Sequence, residues 1–398
     1  MDKIRILSLD GGGMRGIITA RILLEVEKKL GAPLSQHFNL IAGTSTGSLL
    51  AAGLAIGMKV QDLIDIYKND GEVIFPYQSL FNVRRLPLIF EYGLSAPKFS
   101  SDGLIATVKK HIGYDDQGNV RYLSNVAPKD GMPRLLITAY DTWSRNAIVF
   151  KSWRQDKWYN LDTVVDPVTG QKTHLPLWQA CVSSSSAPTF FPSIRVDATL
   201  DDGTLHEYSL IDGGVCANNP TACAVAEAIR LLCDPNPNDD RGFEVKEWAA
   251  AQSPAEAIQK IKVLSIGTGD VTTKLPWSTV RKWGLVQWGL KIADVLMDAP
   301  SDVHDYVSRQ IISDPYPVDG IDTQYLRLQL DRPTLERLNR ASLSIGIDDA
   351  RLDSLQVLEN VAEAYLTAND LAPQSEGGSP LNYTNLDVVN LFLDKLAR

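Results

Sequence analysis

The chain has 398 residues, 44% of them hydrophobic and 22% charged, with 39 Lys plus Arg against 48 Asp plus Glu and a net charge of −9. That balance excludes wholesale disorder and a nucleic-acid binder that works by bulk positive charge. No apolar run reaches the ~18 residues that span a bilayer.

Met1 to Arg5 run directly into an apolar segment, without the h-region of a secretory leader. The four cysteines (Cys181, Cys216, Cys223, Cys233) form no CxxC pair and no zinc spacing. Both points lead us to expect a cytoplasmic protein whose cysteines are small buried hydrophobes.

Ile4 to Leu9 reads as a buried strand, broken by Asp10-Gly11-Gly12-Gly13. Ile18, Ile22, Val26 and Leu30 then recur at spacing four, one face of a helix. Phe38 to Ala42 is a second short strand, followed by Gly43-Thr44-Ser45-Thr46-Gly47 and a small-residue helix from Leu49 to Ile56. Two strand–glycine turn–helix units in the first 60 residues predict a parallel α/β sheet. Further on, Leu135 to Tyr140 and Ala147 to Lys151 read as strands, and Leu177 to Ser183 as helix. Tyr208 to Ile211 is a strand ending at Asp212-Gly213-Gly214, and Asn219-Pro220 opens a helix through Ala222, Val225, Ala226 and Ile229. Ile261 to Ile266 is another strand, closed by Gly267-Thr268-Gly269. Beyond about 275 the pattern turns helical. Its stripes are Leu285, Trp288, Ile292 and Val295, then Leu352 to Tyr365, then Leu386 to Leu396, with Leu371 to Pro380 as the best linker candidate.

Ser45 is the centre of Gly43-x-Ser45-x-Gly47 between a strand and a helix. The glycines let the backbone turn sharply, which presents the hydroxyl at a helix N-terminus where negative charge is favoured. Gly11-Gly12-Gly13 leaves backbone N–H groups uncovered, and such a loop holds a phosphate or forms an oxyanion hole. It ends Met14-Arg15-Gly16 rather than in the Gly-Lys-Ser/Thr of a P-loop, while Gly11, Gly13 and Gly16 also fit a dinucleotide-binding spacing. Arg15 either anchors this loop or assists an anionic intermediate. Asp212 ends a strand before two glycines, where the carboxyl edge of a parallel sheet places α/β active sites. None of the five histidines (His37, His111, His174, His206, His304) sits in a catalytic setting. A triad in hydrolase order would force His304 into the role, and its surroundings read as a solvated helix face. The expectation is a two-residue site in which Asp212 takes the Ser45 proton, its pKa raised from ~3.9 by desolvation.

Four blocks in order carry a resemblance: Asp10-Gly-Gly-Gly-Met-Arg-Gly16, Ile41-Ala-Gly-Thr-Ser-Thr-Gly47, Ser183-Ser-Ser-Ser-Ala-Pro-Thr-Phe-Phe-Pro192, and Asp212-Gly-Gly-Val-Cys-Ala-Asn-Asn-Pro220. Over residues 4 to about 270 the chain resembles the patatin-like phospholipase family. The resemblance implies a three-layer α/β/α fold with a central mostly parallel sheet, plus additional C-terminal helices. It implies a catalytic unit over 1–275, and the remainder, 276–398, is expected to be a mainly helical extension packed on the core. It further implies a Ser45–Asp212 dyad, an oxyanion hole from Gly11, Gly12 and Gly13 with Arg15 nearby, and Gly43 and Gly47 as the elbow glycines. The implied reaction is cofactor-free and metal-free hydrolysis of acyl esters in membrane glycerophospholipids. Ser48 and the serine run in the third block depart from the family's commoner residues and bear on pocket shape.

No metal is expected: Asp234-Pro-Asn-Pro-Asn-Asp239 lacks the glycine and glutamate of a calcium loop. Peripheral membrane contact is expected most from Trp277, Trp283 and Trp288 with Lys274, Arg281, Lys282 and Lys291, and less from Trp143, Trp153 and Trp158, although tryptophans at helical spacing are more often core. A homodimer and gating by a small nucleotide, as in antiphage effectors of this family, stay open. So does a dinucleotide-binding protein built on the Gly11 loop. No nucleic-acid polymer is expected as partner.

Overall fold

The computed structural model describes residues 3–396 apart from 127–131, 154–163, 166–169, 200–203, 234–250, 270–274, 315–316, 318–319, 339–344 and 374–381. The calcium-like stretch 234–239, Trp158, Lys274 and most of the linker candidate lie outside the described residues.

Ten strands form one sheet: β1 Ile4–Leu9, β2 Leu40–Thr44, β3 Arg134–Asp141, β4 Asn146–Lys151, β5 Val164–Val165, β6 Lys172–Thr173, β7 Ile194–Thr199, β8 Leu205–Asp212, β9 Ile261–Ile266 and β10 Tyr325–Leu328. Their order is β10-β9-β1-β2-β3-β8-β7-β5-β6, with β4 also on β3. The run from β10 to β3 is parallel, and the rest is antiparallel. Side chains alternate along β1, yet both faces are dry. Leu7 and Leu9 join one core cluster, Ile4 and Ile6 the other. A strand buried on both sides carries apolar residues on both faces, which is why Ile4–Leu9, polar only at Arg5 and Ser8, was legible without alternation.

Helices cover both faces, giving three layers. One face carries Gly16–Leu30, Thr46–Ala55, Val60–Ile74, Asp102–Ile112, Leu177–Ser184, Leu352–Thr367 and Asn385–Leu396. The other carries Thr221–Cys233, Pro254–Gln259 and the C-terminal end of Leu285–Ile312. β10 follows residue 275 and extends the parallel ladder through Tyr325↔Val263 to Leu328↔Ile266, so the sheet draws on residues from both sides of the expected division. The sequence pattern offered only helices there. A four-residue strand inside a polar stretch carries too short a period to stand out.

The junction that matters lies on β3. β4 pairs with Leu136–Asp141 and fills one edge. On the opposite edge β2 pairs with Arg134–Thr138, ending at Thr44↔Thr138, and β8 takes over at Asp212↔Ala139. The two strands run head-on, and their C-terminal ends meet at adjacent register positions. Asp212 thus reaches the carboxyl edge of the parallel strands at the end of an antiparallel strand that meets β2 head-on, and not at the end of a parallel strand as expected.

Candidate active site

Ser45 follows β2 directly and sits at φ 52°, ψ −126°, a positive φ that a side chain adopts only under strain, at about 1–3 kcal/mol. The neighbouring glycines permit it. A Cβ on Gly43 would stand 2.1 Å from the Gly47 carbonyl oxygen, and one on Gly47 2.2 Å from that of Leu9. A serine in front of a helix ordinarily caps it by accepting an N–H. Ser45 Oγ makes no such bond and instead donates to Asp212 Oδ2 at 2.6 Å.

Asp212 is wholly buried. Its Oδ1 accepts the Gly214 N–H at 2.7 Å. Burial pushes the carboxyl up to about 7, while the hydrogen bonds from Ser45 and Gly214 pull the other way. A carboxyl at that value is half-ionised near neutrality, and the shift has the direction the sequence argument expected. The serine run contributes directly. Ser184 Oγ accepts the Ser45 N–H at 2.8 Å, and Ser185 lines the pocket beside Ser45 with a buried hydroxyl that has no partner among the described residues. Sequence reasoning had used these serines only as a family signature.

The glycine loop packs against the serine: a Cβ on Gly11 would lie 3.0 Å from Ser45 Cβ. The expectation of three free donors is corrected to two, because the Gly11 N–H is donated to the Asn218 carbonyl at 3.1 Å. Gly12 and Gly13 donate in no hydrogen bond among the described residues. Gly13 is at φ +58° and its Cβ would meet the Ile347 carbonyl oxygen at 2.1 Å, so this position admits glycine alone. Arg15 is buried and donates from Nη1 to the Gly269 carbonyl at 3.3 Å, tying the loop to the end of β9.

A residue that sequence reasoning missed fixes the start of that loop. Arg327 on β10 grips Asp10 with both guanidinium nitrogens, Nη1 to Oδ1 at 2.8 Å, and Nη1 also donates to Ser265 Oγ. Both charges are almost fully buried.

His304 belongs to the helix Leu285–Ile312, and its Nδ1 donates to the Asn219 carbonyl at 2.8 Å. It does not line the Ser45 pocket. His111 does, but its Nε2 is 2.8 Å from Asp70 Oδ2, and Lys110 holds the same carboxylate at 2.9 Å. Burial alone would raise Asp70; the hydrogen bonds from Lys110 and His111 outweigh it and hold the carboxyl below its usual range.

The pocket itself is about 740 Å³ of space, part of it open to solvent. Its walls are mainly aliphatic and aromatic, with Leu63 and Ile66 from one helix, Leu104, Val108 and Ile112 from another, and the neighbouring rings of Phe75 and Phe191. Among the described residues no cluster of His, Cys, Asp or Glu has the makings of a metal site. A pocket-lining hydroxyl on a strained turn, a buried carboxylate accepting from it, two spare amides and an apolar cleft can together support acyl transfer.

The family model for patatin-like phospholipase matches residues 7–225. Patatin-like protein 3 of Arabidopsis thaliana is 30% identical over 99% of this chain and 89% of its own length. Patatin-like protein 2 of Oryza sativa subsp. indica is 28% identical over 99% and 92%. Among solved structures, human GIVD cytosolic phospholipase A2 aligns over 99% of this chain and 60% of its own, at 12% identity and a TM-score of 0.44. The chain belongs to the patatin-like phospholipase family, and that membership supports a lipid acyl hydrolase.

Proposed function

We propose that the protein is a serine carboxylic ester hydrolase of phospholipase A type, cleaving acyl esters of membrane glycerolipids through a Ser45–Asp212 dyad and an acyl-enzyme. The observation that carries this reading is the 2.6 Å hydrogen bond from Ser45 Oγ to Asp212 Oδ2, with Ser45 lining an apolar pocket.

Ser45 Oγ attacks the ester carbonyl carbon as its proton passes to Asp212. The carbonyl oxygen becomes an oxyanion, for which the Gly12 and Gly13 N–H groups are the available donors. One such donor is typically worth about 3 kcal/mol. Collapse breaks the bond to the lysolipid oxygen, which takes the proton from Asp212. Water then gives a proton to Asp212 and attacks the acyl carbon, and Ser45 leaves with that proton as the fatty acid is released. The acyl chain occupies the aliphatic pocket at about 0.8 kcal/mol for each methylene buried. Four free thiols are the support for placing the enzyme in a reducing, cytoplasmic compartment.

The test is labelling with a serine-directed fluorophosphonate, with the site mapped by peptide mass spectrometry, beside lipid analysis of phospholipid vesicles. The expected result is a label on Ser45 and release of fatty acid plus lysolipid. An unlabelled Ser45, or the same products from Ser45→Ala, would overturn it.

A further inference from the structure

We propose that the excursion formed by residues 76–98 is the surface by which this protein docks onto an anionic lipid bilayer. The inference rests on the lipid hydrolase reading for its purpose, and on the surface itself for its evidence.

The excursion leaves the pocket wall at Phe75 and returns to it at Phe99. The Phe75 and Phe99 rings lie 5.3 Å apart, and Phe75 lies 5.5 Å from Phe191, which shares the pocket lining with it. The returning strand of chain is pinned beside Phe191, with the Lys98 N–H on the Thr189 carbonyl and the Phe99 N–H on that of Phe190. Between these points runs a short helix, Leu86–Tyr92, which buries only Leu88. Phe81 is 97% exposed, Phe90 87%, Leu94 86% and Val83 75%. Single exposed apolar side chains are common, but a cluster in one excursion marks an interaction surface.

Charge selects the partner. The chain is acidic overall, yet residues 76–98 hold Arg84, Arg85 and Lys98 against Glu91 alone, and with Lys98 ion-paired to Asp348 the two arginines carry the charge of the patch. Arg84 donates to the Pro76 carbonyl, and Arg85 to those of Pro97 and Ala96. These acceptors are neutral, and among the described residues neither arginine forms a salt bridge, so both positive charges remain to meet phosphates. Apolar side chains projecting beside cationic groups suit the headgroup boundary of an anionic membrane. A symmetric contact with a second copy would lay the same cationic patch against itself. Continuity completes the argument: the excursion begins and ends at the Phe75–Phe99–Phe191 cluster, and two of those rings, Phe75 and Phe191, line the Ser45 pocket.

The experiment uses the full chain carrying Ser45→Ala, so binding is read without turnover, in flotation with vesicles of phosphatidylcholine alone or with phosphatidylglycerol. The expected result is flotation with the anionic vesicles, weakened at least about tenfold, or 1.4 kcal/mol, by Phe81→Ser with Phe90→Ser, and weakened also by Arg84→Gln. In the Ser45 protein, the same phenylalanine pair should lower hydrolysis of vesicle lipid and spare a soluble short-chain ester. Unchanged flotation of the phenylalanine variant would overturn the proposal, as would loss of flotation only on Trp277→Ser with Trp288→Ser. A lipid-free dimer in sedimentation that dissociates with the phenylalanine changes would overturn it in favour of a second copy. Absence of ester turnover in the Ser45 protein would sink the hydrolase reading, while flotation still decides the docking surface.

Discussion

Ser45 and Asp212 are 167 positions apart in sequence, and the serine hydroxyl reaches the carboxylate at 2.6 Å because β2 and β8 meet end to end along one edge of β3. The pair is set by sheet register and not by a flexible loop. Side chains carried on a rigid sheet are held to the tolerance that acyl transfer demands.

Ser45→Ala and Asp212→Asn should each lower ester hydrolysis by about 10⁴-fold or more, since groups that act as a unit fail together. Circular dichroism should stay unchanged. His304→Ala, whose ring bonds to the Asn219 carbonyl, should stay within about twofold in kcat/KM, or ~0.4 kcal/mol.

In the proposed mechanism the working base is ionised Asp212. Burial lifts its pKa to about 7, so the active fraction rises as pH climbs through that value. The profile of kcat/KM for a soluble ester should show an acid limb near pH 7. A limb near the ordinary carboxylate value of ~3.9 would contradict a desolvated base.

The same shift has a sign for stability. A carboxyl whose folded pKa is raised favours the folded state below its unfolded value of ~3.9, and that contribution is lost as pH rises to about 7. Asp212→Asn removes the buried charge. Its Tm should match the parent near pH 4, where Asp212 is protonated, and exceed it at pH 8. Equal Tm values at both pH values would contradict a raised pKa.

Arg327→Met leaves Asp10 buried with no counter-charge. Breaking such a pair costs about 3–5 kcal/mol. Urea unfolding should show that loss, and ester hydrolysis should fall with it because Asp10 opens the glycine loop.

Val108 lines the pocket from the helix Asp102–Ile112. Val108→Trp should shift preference toward short acyl chains, with long-chain esters losing more kcat/KM than short ones in a series of p-nitrophenyl esters. An unaltered chain-length profile would place the acyl chain elsewhere.

The legible parts of the site were those with a local cause. β1 and β9 were read at their observed bounds because a doubly buried strand carries apolar residues on both faces, interrupted here only by Arg5 and Ser8 and by Lys262 and Ser265. Ser45 and Asp212 stood out because glycines flank them, and glycines mark close backbone approach. The partner of Asp10 was not legible. Arg327 sits in Tyr325–Leu328, four residues whose role depends on a contact 317 positions away. The pocket was hidden for another reason: Leu104, Val108 and Ile112 recur at helical spacing, which looks the same whether the stripe faces a core or a cleft. Likewise Phe81 and Phe90 are apolar letters in sequence, and only coordinates separate an exposed phenylalanine from a buried one. Trp153 and Trp277, grouped by composition as candidate membrane contacts, diverge in the same way, at 2% and 75% exposed.

The Asp10–Arg327 clasp means that the unit recognisable by kinship is shorter than the unit that can stand alone. A fragment cut at residue 225, where the family match stops, would bare the β1 edge that β9 covers and leave Asp10 at the head of the glycine turn without its arginine. Anyone expressing a minimal catalytic piece should carry it at least through Leu328.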